Sequence, residues 1–206
     1  IFAMASFPWQ VAIPLVIIGT IVMGVVIERV AYKPLRTAPR MSIMISAIGV
    51  SYLLQNLALL IFGPEQKSTP ALFDLPSLTL GGVTVDGIPL LTLGAPAAIM
   101  VGLTLFINLT RMGKAMRAVS EDRDAAELMG ISVNKTITIT FAIGSALAAV
   151  ASVFFGATYT YIKPTTGSMP GIKAFTAAVF GGIGSIPGAM LGGILLGLIE
   201  QLSKVY

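Results

Sequence analysis

Residues 180–197 read FGGIGSIPGAMLGGILLG, with seven glycines in eighteen positions. Glycines at that density either clear the backbone around a phosphate or let two helices touch. A dinucleotide-binding turn needs GxGxxG after a strand. Here Gly182-Ile-Gly184-Ser-Ile-Pro187 puts proline where the third glycine belongs, in a chain with no βαβ pattern. The phosphate reading fails. Gly184, Gly188 and Gly192 stand at four-residue spacing, with Gly193 and Gly197 as a second pair on an adjacent face, which is the spacing of close-packed membrane helices. Other reactive patterns are missing. The sequence has no GxxxxGK[ST], GxSxG or HExxH and contains neither cysteine nor histidine. A P-loop ATP site, thiolate metal ligands and a histidine general base are therefore excluded from these residues.

Three further groups of residues have types and spacing that call for a partner. Ser51 and Gln55 lie four apart on one helix face with Asn56 beside them. Polar side chains in hydrocarbon either line a translocation path or bond to a neighbouring helix. Thr136, Thr140, Gly144, Ala148, Ser152 and Gly156 recur every four residues and read as a close helix interface rather than a pore lining, with a neighbour in this chain or in another. In RMGKAMRAVSEDRDAAELMGISVNK (111–135), Ser120 is a candidate N-cap, Glu121 and Asp122 suit a positive first turn, and Gly130 suits the C′ position. A short helix over about 121–129 follows, with Ala125, Leu128 and Met129 on one apolar face. Such a helix either packs on the membrane surface or fits a groove on a soluble subunit.

The elements that must hold these residues are membrane spans. The chain of 206 residues is 55% hydrophobic and 11% charged, too few charges to cover a soluble surface. Positions 1–27, 41–64, 87–110, 136–162 and 174–199 contain no Asp, Glu, Lys or Arg, and about 20 residues suffice to cross the ~30 Å hydrocarbon core. Spans are expected at about 10–27, 42–62, 96–110 with some extension, 136–157, and 174–203 in a broken form. Pro89 and Pro96 are expected to delay the start of the third. The last run of 26 charge-free residues would be roughly 39 Å long as one helix. A half-helix near 171–180, a non-helical elbow near 181–186 around Gly181, Gly182 and Gly184, and a helix from about Pro187 are therefore expected. Broken backbone at membrane depth survives only against protein or water, which puts the elbow at a path or a subunit interface.

Nine of the 13 basic residues fall in 28–40 and 111–135, so these segments face the cytoplasm and 63–95 faces outward. By parity the tail with Lys204 is expected to return inside. LTLGGVTVDGIPLLTLG (78–94) predicts two or three short strands, an extracytoplasmic hairpin that is either structural or a docking surface. The expected fold is an all-α polytopic integral membrane helix bundle, a single transmembrane domain over 1–206 with a broken or re-entrant helix and a small extracytoplasmic β-hairpin. Apart from Glu200 near the end of the last, no acid or base falls within an expected span, which argues against a proton-driven carrier. An ATP-independent channel or facilitator for small solutes would present similar spans.

Asp124-Ala125-Ala126-Glu-Leu-Met-Gly130 resembles the EAAxxxG pattern of the cytoplasmic coupling loop of ABC importer permeases, with Asp in place of the first Glu. The wider text ERVAYKPLRTAPRMSIMISAIGVSYLLQN (28–56), GKAMRAVSEDRDAAELMGI (113–131) and MPGIKAFTAAV (169–179) with the glycine-rich run is similar to the H-type permease of the branched-chain amino-acid (Leu/Ile/Val) ABC transporters. Where the general importer pattern continues to Leu-Pro, this chain has Phe141-Ala142. The resemblance implies a non-enzymatic transport subunit of a bacterial inner membrane. It carries no cofactor of its own and binds no nucleic acid. Its implied partners are an M-type permease, two ATPase subunits that bind the ATP, and a periplasmic or lipid-anchored binding protein. It further implies that Ser120, Asp124, Ala125, Ala126, Leu128, Met129 and Gly130 form the ATPase-coupling element. Members of the family extend beyond both ends of this chain, so further segments are expected on each side.

Overall fold

The computed structural model describes residues 9–36, 38–68, 78–80, 83–85, 87–159, 161–182 and 184–205. The fold is all-α, and five of its helices are long and apolar enough to cross a membrane. In chain order the elements are α1 (Trp9–Ile27), a π-helical turn (Glu28–Tyr32), α2 (Arg40–Phe62), β1 (Lys67–Ser68), β2 (Leu78–Leu80), β3 (Val83–Val85) and α3 (Gly87–Leu109). There follow α4 (Arg111–Glu121), α5 (Arg123–Leu128), α6 (Val133–Thr158), β4 (Tyr161–Ile162), α7 (Ser168–Phe180) and α8 (Ile186–Val205).

Local chemistry sets the boundaries. α1 does not stop at the first charge but continues through the π turn, closed by Lys33 N–H donating to Glu28 O at 2.8 Å. α2 begins after Pro39 and ends at Gly63, whose φ of 75° takes the chain out of the helix. α3 corrects the expectation of a late start, because it begins at Gly87 and holds both prolines. Pro89 falls in the first turn, where its missing N–H has no helical acceptor, and Pro96 is carried within the helix, as membrane helices allow. β2 and β3 pair antiparallel, Leu78 with Val85 and Leu80 with Val83, as the alternating residues predict. Gly87 then serves the helix and not a further turn.

Only four apolar residues are buried among those described: Val119, Ala126, Ala149 and Ala177. Leu60 is 83% exposed and Leu93 74%, so the spans do not bury their apolar surface against one another. That surface requires lipid or other subunits. Where helices do meet, small residues make the contact. A Cβ on Gly24 of α1 would lie 1.7 Å from Ser145 Oγ of α6, so the two backbones approach closely there. The α6 contact thus runs through Ser145 and buried Ala149, one position on from the expected stripe. Gly144 has nothing within 4 Å of an added Cβ, and Ala148 and Ser152 are exposed, whereas Thr136 and Gly156 at the two ends are buried. Four residues turn a helix through about 400°, so such a stripe drifts ~40° per step and cannot stay on one face over its whole length.

α7 and α8 form an antiparallel hairpin. Added Cβ atoms on Gly188 and Gly192 would lie 1.9 Å from Gly181 O and 2.4 Å from Ala177 O, and Lys173 Nζ is 2.6 Å from Glu200 Oε2. The direction of this hairpin corrects the expected side of the tail. α6 starts beside the basic segment 111–135 and ends at β4, which pairs with β1 just past the far end of α2, Lys67 with Ile162 and Ser68 with Tyr161. α7 re-enters from that far side and α8 returns to it, so Lys204 lies opposite the two basic loops.

Candidate functional site

The basic-loop side holds the most ordered polar constellation. α4 starts at Thr110, whose Oγ1 accepts from Gly113 N–H at 3.0 Å, and folds back on the end of α3. Gly113 permits this, since a Cβ there would come within 2.3 Å of the Ile107 backbone. The expected helix over about 121–129 is α5, which starts two residues later, because α4 runs on to Glu121 and the chain breaks at Asp122. Asp122 Oδ1, not Ser120, caps α5, accepting from Asp124 N–H at 2.9 Å and Ala125 N–H at 3.1 Å. Ser120 lies in the last turn of α4 and donates to Arg117 O at 2.7 Å. Its hydroxyl is spent on its own helix, and the Asp122 side chain takes the cap.

The other end of α5 closes as a Schellman motif. Ile131 N–H donates to Ala126 O at 3.0 Å and Gly130 N–H to Glu127 O at 2.9 Å, with Gly130 at φ 81°. Both ends of a six-residue helix are therefore fixed, which matters because a helix this short does not hold its shape alone. Ala126 is buried toward the bundle, while Asp124 and Ala125 are exposed. Leu128 is 90% and Met129 82% exposed, two long apolar side chains standing off a charged surface. Between α5 and the first basic loop lies a cavity of about 430 Å³, lined by Arg36, Ile43, Val119, Asp122, Arg123 and Asp124, among others.

Behind α5 is a network that the sequence reading does not contain. Glu28 is completely buried, and its Oε1 accepts from Arg36 Nη2. Thr138 Oγ1 lies 3.0 Å from both Glu28 Oε2 and Asn134 O, and its proton is shared between them. Arg36 Nη1 donates to Asn134 Oδ1, and Arg123 Nη1 of α5 donates to Arg36 O at 3.1 Å. The available signal was a lone acid closing a charge-free run, followed by basic residues.

At mid-depth, Gln55 Nε2 donates to Ser51 Oγ at 3.2 Å and Asn56 Nδ2 to Tyr52 O at 2.8 Å. Both bonds stay within α2, so Ser51, Gln55 and Asn56 make no interhelical bond among the described residues. The elbow lies between α7 and α8. Gly182 at φ 90° and Gly184 at φ 100° adopt a conformation that side chains disfavour, whereas Gly181 at φ −76° ends α7. Ser185 Oγ accepts from Gly188 N–H at 3.2 Å and so starts α8, with Pro187 at its second position. The 13 residues of α7 are about 20 Å long, shorter than the ~30 Å hydrocarbon core. Gly184 is part of this turn and not of the seam, which Gly188 and Gly192 form with α7; a Cβ on Gly193 would make ordinary contact with Ala177 at 3.9 Å, and one on Gly197 would meet open space.

Comparison with known proteins gives one consistent result. Residues 2–206 match the family model for the permease component of branched-chain amino acid transport systems. The chain is 49% identical over 188 residues to the high-affinity branched-chain amino acid transport system permease protein BraD of Pseudomonas aeruginosa, covering 89% of this chain and 61% of that protein. It is 46% identical over 198 residues to the permease protein LivH of Escherichia coli, covering 92% of this chain and 64% of the relative. A more distant relative is the autoinducer 2 import system permease protein LsrC of Klebsiella pneumoniae, 31% identical over 149 residues, covering 63% of this chain and 43% of the relative. The chain thus spans somewhat over three fifths of the length of BraD and LivH. No solved structure matches it.

Proposed function

We propose, for a chain that belongs to the family of branched-chain amino acid transport system permeases, the role of H-type membrane subunit in an ATP-driven importer of the bacterial inner membrane. The observation that carries this reading is the exposed apolar edge of α5. Leu128 and Met129 are held on a helix capped at both ends, beside a cytoplasmic surface rich in arginine and lysine. Exposed apolar side chains grouped on a rigid element fit a groove on a soluble partner. The partners that complete this reading are two ATPase subunits beneath α5, a homologous M-type permease, and a periplasmic or lipid-anchored binding protein on the far side. ATP is hydrolysed on the partner chains, and this chain supplies the moving wall of the path.

In this mechanism the ATPase pair displaces α5, and the membrane helices packed on it rock between inward-open and outward-open arrangements. On this reading Ser51, Gln55 and Asn56 on α2 line the conduit, with the elbow at Gly181, Gly182, Gly184 and Pro187. Uncharged spans suit an aliphatic side chain, and small polar groups can hydrogen-bond the amino and carboxylate ends. The open face at Gly144, Ala148 and Ser152 is where the M-type subunit approaches closely.

Vesicles reconstituted with the permease pair, the ATPases and the binding protein provide the test. Labelled leucine, isoleucine and valine are expected to accumulate only with hydrolysable ATP. Equal flux without ATP or binding protein would make the chain a facilitator.

A further inference from the structure

We propose that Glu28, Arg36 and Arg123 are positioning residues that tie α5 to the cytoplasmic ends of α1 and α6, so that a displacement of α5 is passed to both membrane helices. The proposal rests on the reading of α5 as the ATPase-contacting element. The links run in sequence. Arg123, the first residue of α5, donates to the carbonyl of Arg36 at 3.1 Å. Arg36 then divides its guanidinium, one terminal nitrogen on Glu28 at the start of the π turn and the other on Asn134 near the start of α6. Glu28 closes the circuit by accepting from Thr138 of α6 at 3.0 Å.

Stability alone does not call for this arrangement. α1 and α6 already meet through Gly24 and Ser145, and a buried ion pair is generally no more stabilising than well-packed apolar residues. What it adds is direction. Charge-assisted hydrogen bonds with fixed geometry resist pulling and sliding, whereas apolar contact allows sliding. The π turn inserts an extra residue per turn where Glu28 must point inward, a form of helix found often at functional positions. Toward α6 the chain leaves α5 by the short segment 129–132, which turns at Gly130 with φ 81°. Cutting the Arg123 link removes the hydrogen bond by which α5 reaches the Glu28–Arg36–Asn134 network, and leaves its motion to pass through that bend and the junction with α4 at Asp122.

The test measures substrate uptake and ATP hydrolysis in the same proteoliposomes containing the complete complex. In Arg123→Ala, recovery with the ATPase subunits and ATP hydrolysis are expected to persist, while uptake per ATP falls roughly tenfold, the factor set by one hydrogen bond to a charged group. Arg123→Lys retains a charged donor and is expected to recover much of the ratio, and Arg36→Gln to lower it. An unchanged ratio in both Arg123→Ala and Arg36→Gln overturns the proposal. Loss of ATPase subunits from Arg123→Ala also overturns it, by making Arg123 a docking residue. A wild-type complex without ATP-dependent uptake refutes the coupling reading itself, and the proposal with it.

Discussion

Glu28 ends a run of membrane-facing residues, yet it is fully buried and both of its oxygens are engaged. Replacing Arg36 by alanine would leave that carboxylate buried without its counter-charge, at a cost of about 3–5 kcal/mol, whereas Glu28→Met with Arg36→Met should be near neutral. Thermal denaturation of the purified complex checks the contrast, and equal losses in the two variants would mean that the ion pair is not structural. This network was not legible in the sequence, because charge counting assigns Glu28 to a loop and no pattern announces a π turn. The caps of α5 were half legible. Gly130 follows from the need for a positive φ, but Ser120, Asp122 and Asp124 all suit a helix start. The choice between them depends on α4 running on to Glu121, which ties up Ser120.

Among the elements, the α7–α8 hairpin gives the sharpest prediction. Gly188→Ala and Gly192→Ala place a methyl within 1.9 and 2.4 Å of backbone oxygens that cannot step aside, so each should cost about 1–3 kcal/mol of overpacking and lower the yield of assembled complex. Gly193→Ala and Gly197→Ala meet only a side-chain carbon at 3.9 Å or open space and should be tolerated. Comparing the four variants by size-exclusion profile checks this. If all four behaved alike, the seam would be misplaced. Glycine spacing revealed that a seam exists and that the run is too long for one straight span. It did not reveal that the second helix turns back, since Lys173 and Glu200 look in sequence like the two sides of a membrane. In the fold these two residues bond to each other at 2.6 Å.

For the whole molecule, five long apolar helices and the shared side of the two basic segments followed from charge segregation, because lipid tolerates few charges; that this side is cytoplasmic is what the bias of Lys and Arg predicts. The side of the tail depended on the hairpin and so was read wrongly. These 206 residues contain no cysteine, so single cysteines placed among them report topology directly. Thr165→Cys and Ser203→Cys should both react with an impermeant maleimide from outside the cell, and Ser120→Cys should not. Labelling of Ser203→Cys only after the membrane is opened would restore the span that crosses to the cytoplasm.

The central claim concerns α5, and the double variant Leu128→Asp with Met129→Asp tests it most directly. Both side chains are exposed, so the substitution leaves the fold in place. Affinity purification of the permease, followed by ATP-driven leucine uptake, is expected to show loss of the ATPase subunits and of transport together. Recovery of a full complement of ATPase subunits with normal uptake would contradict the account.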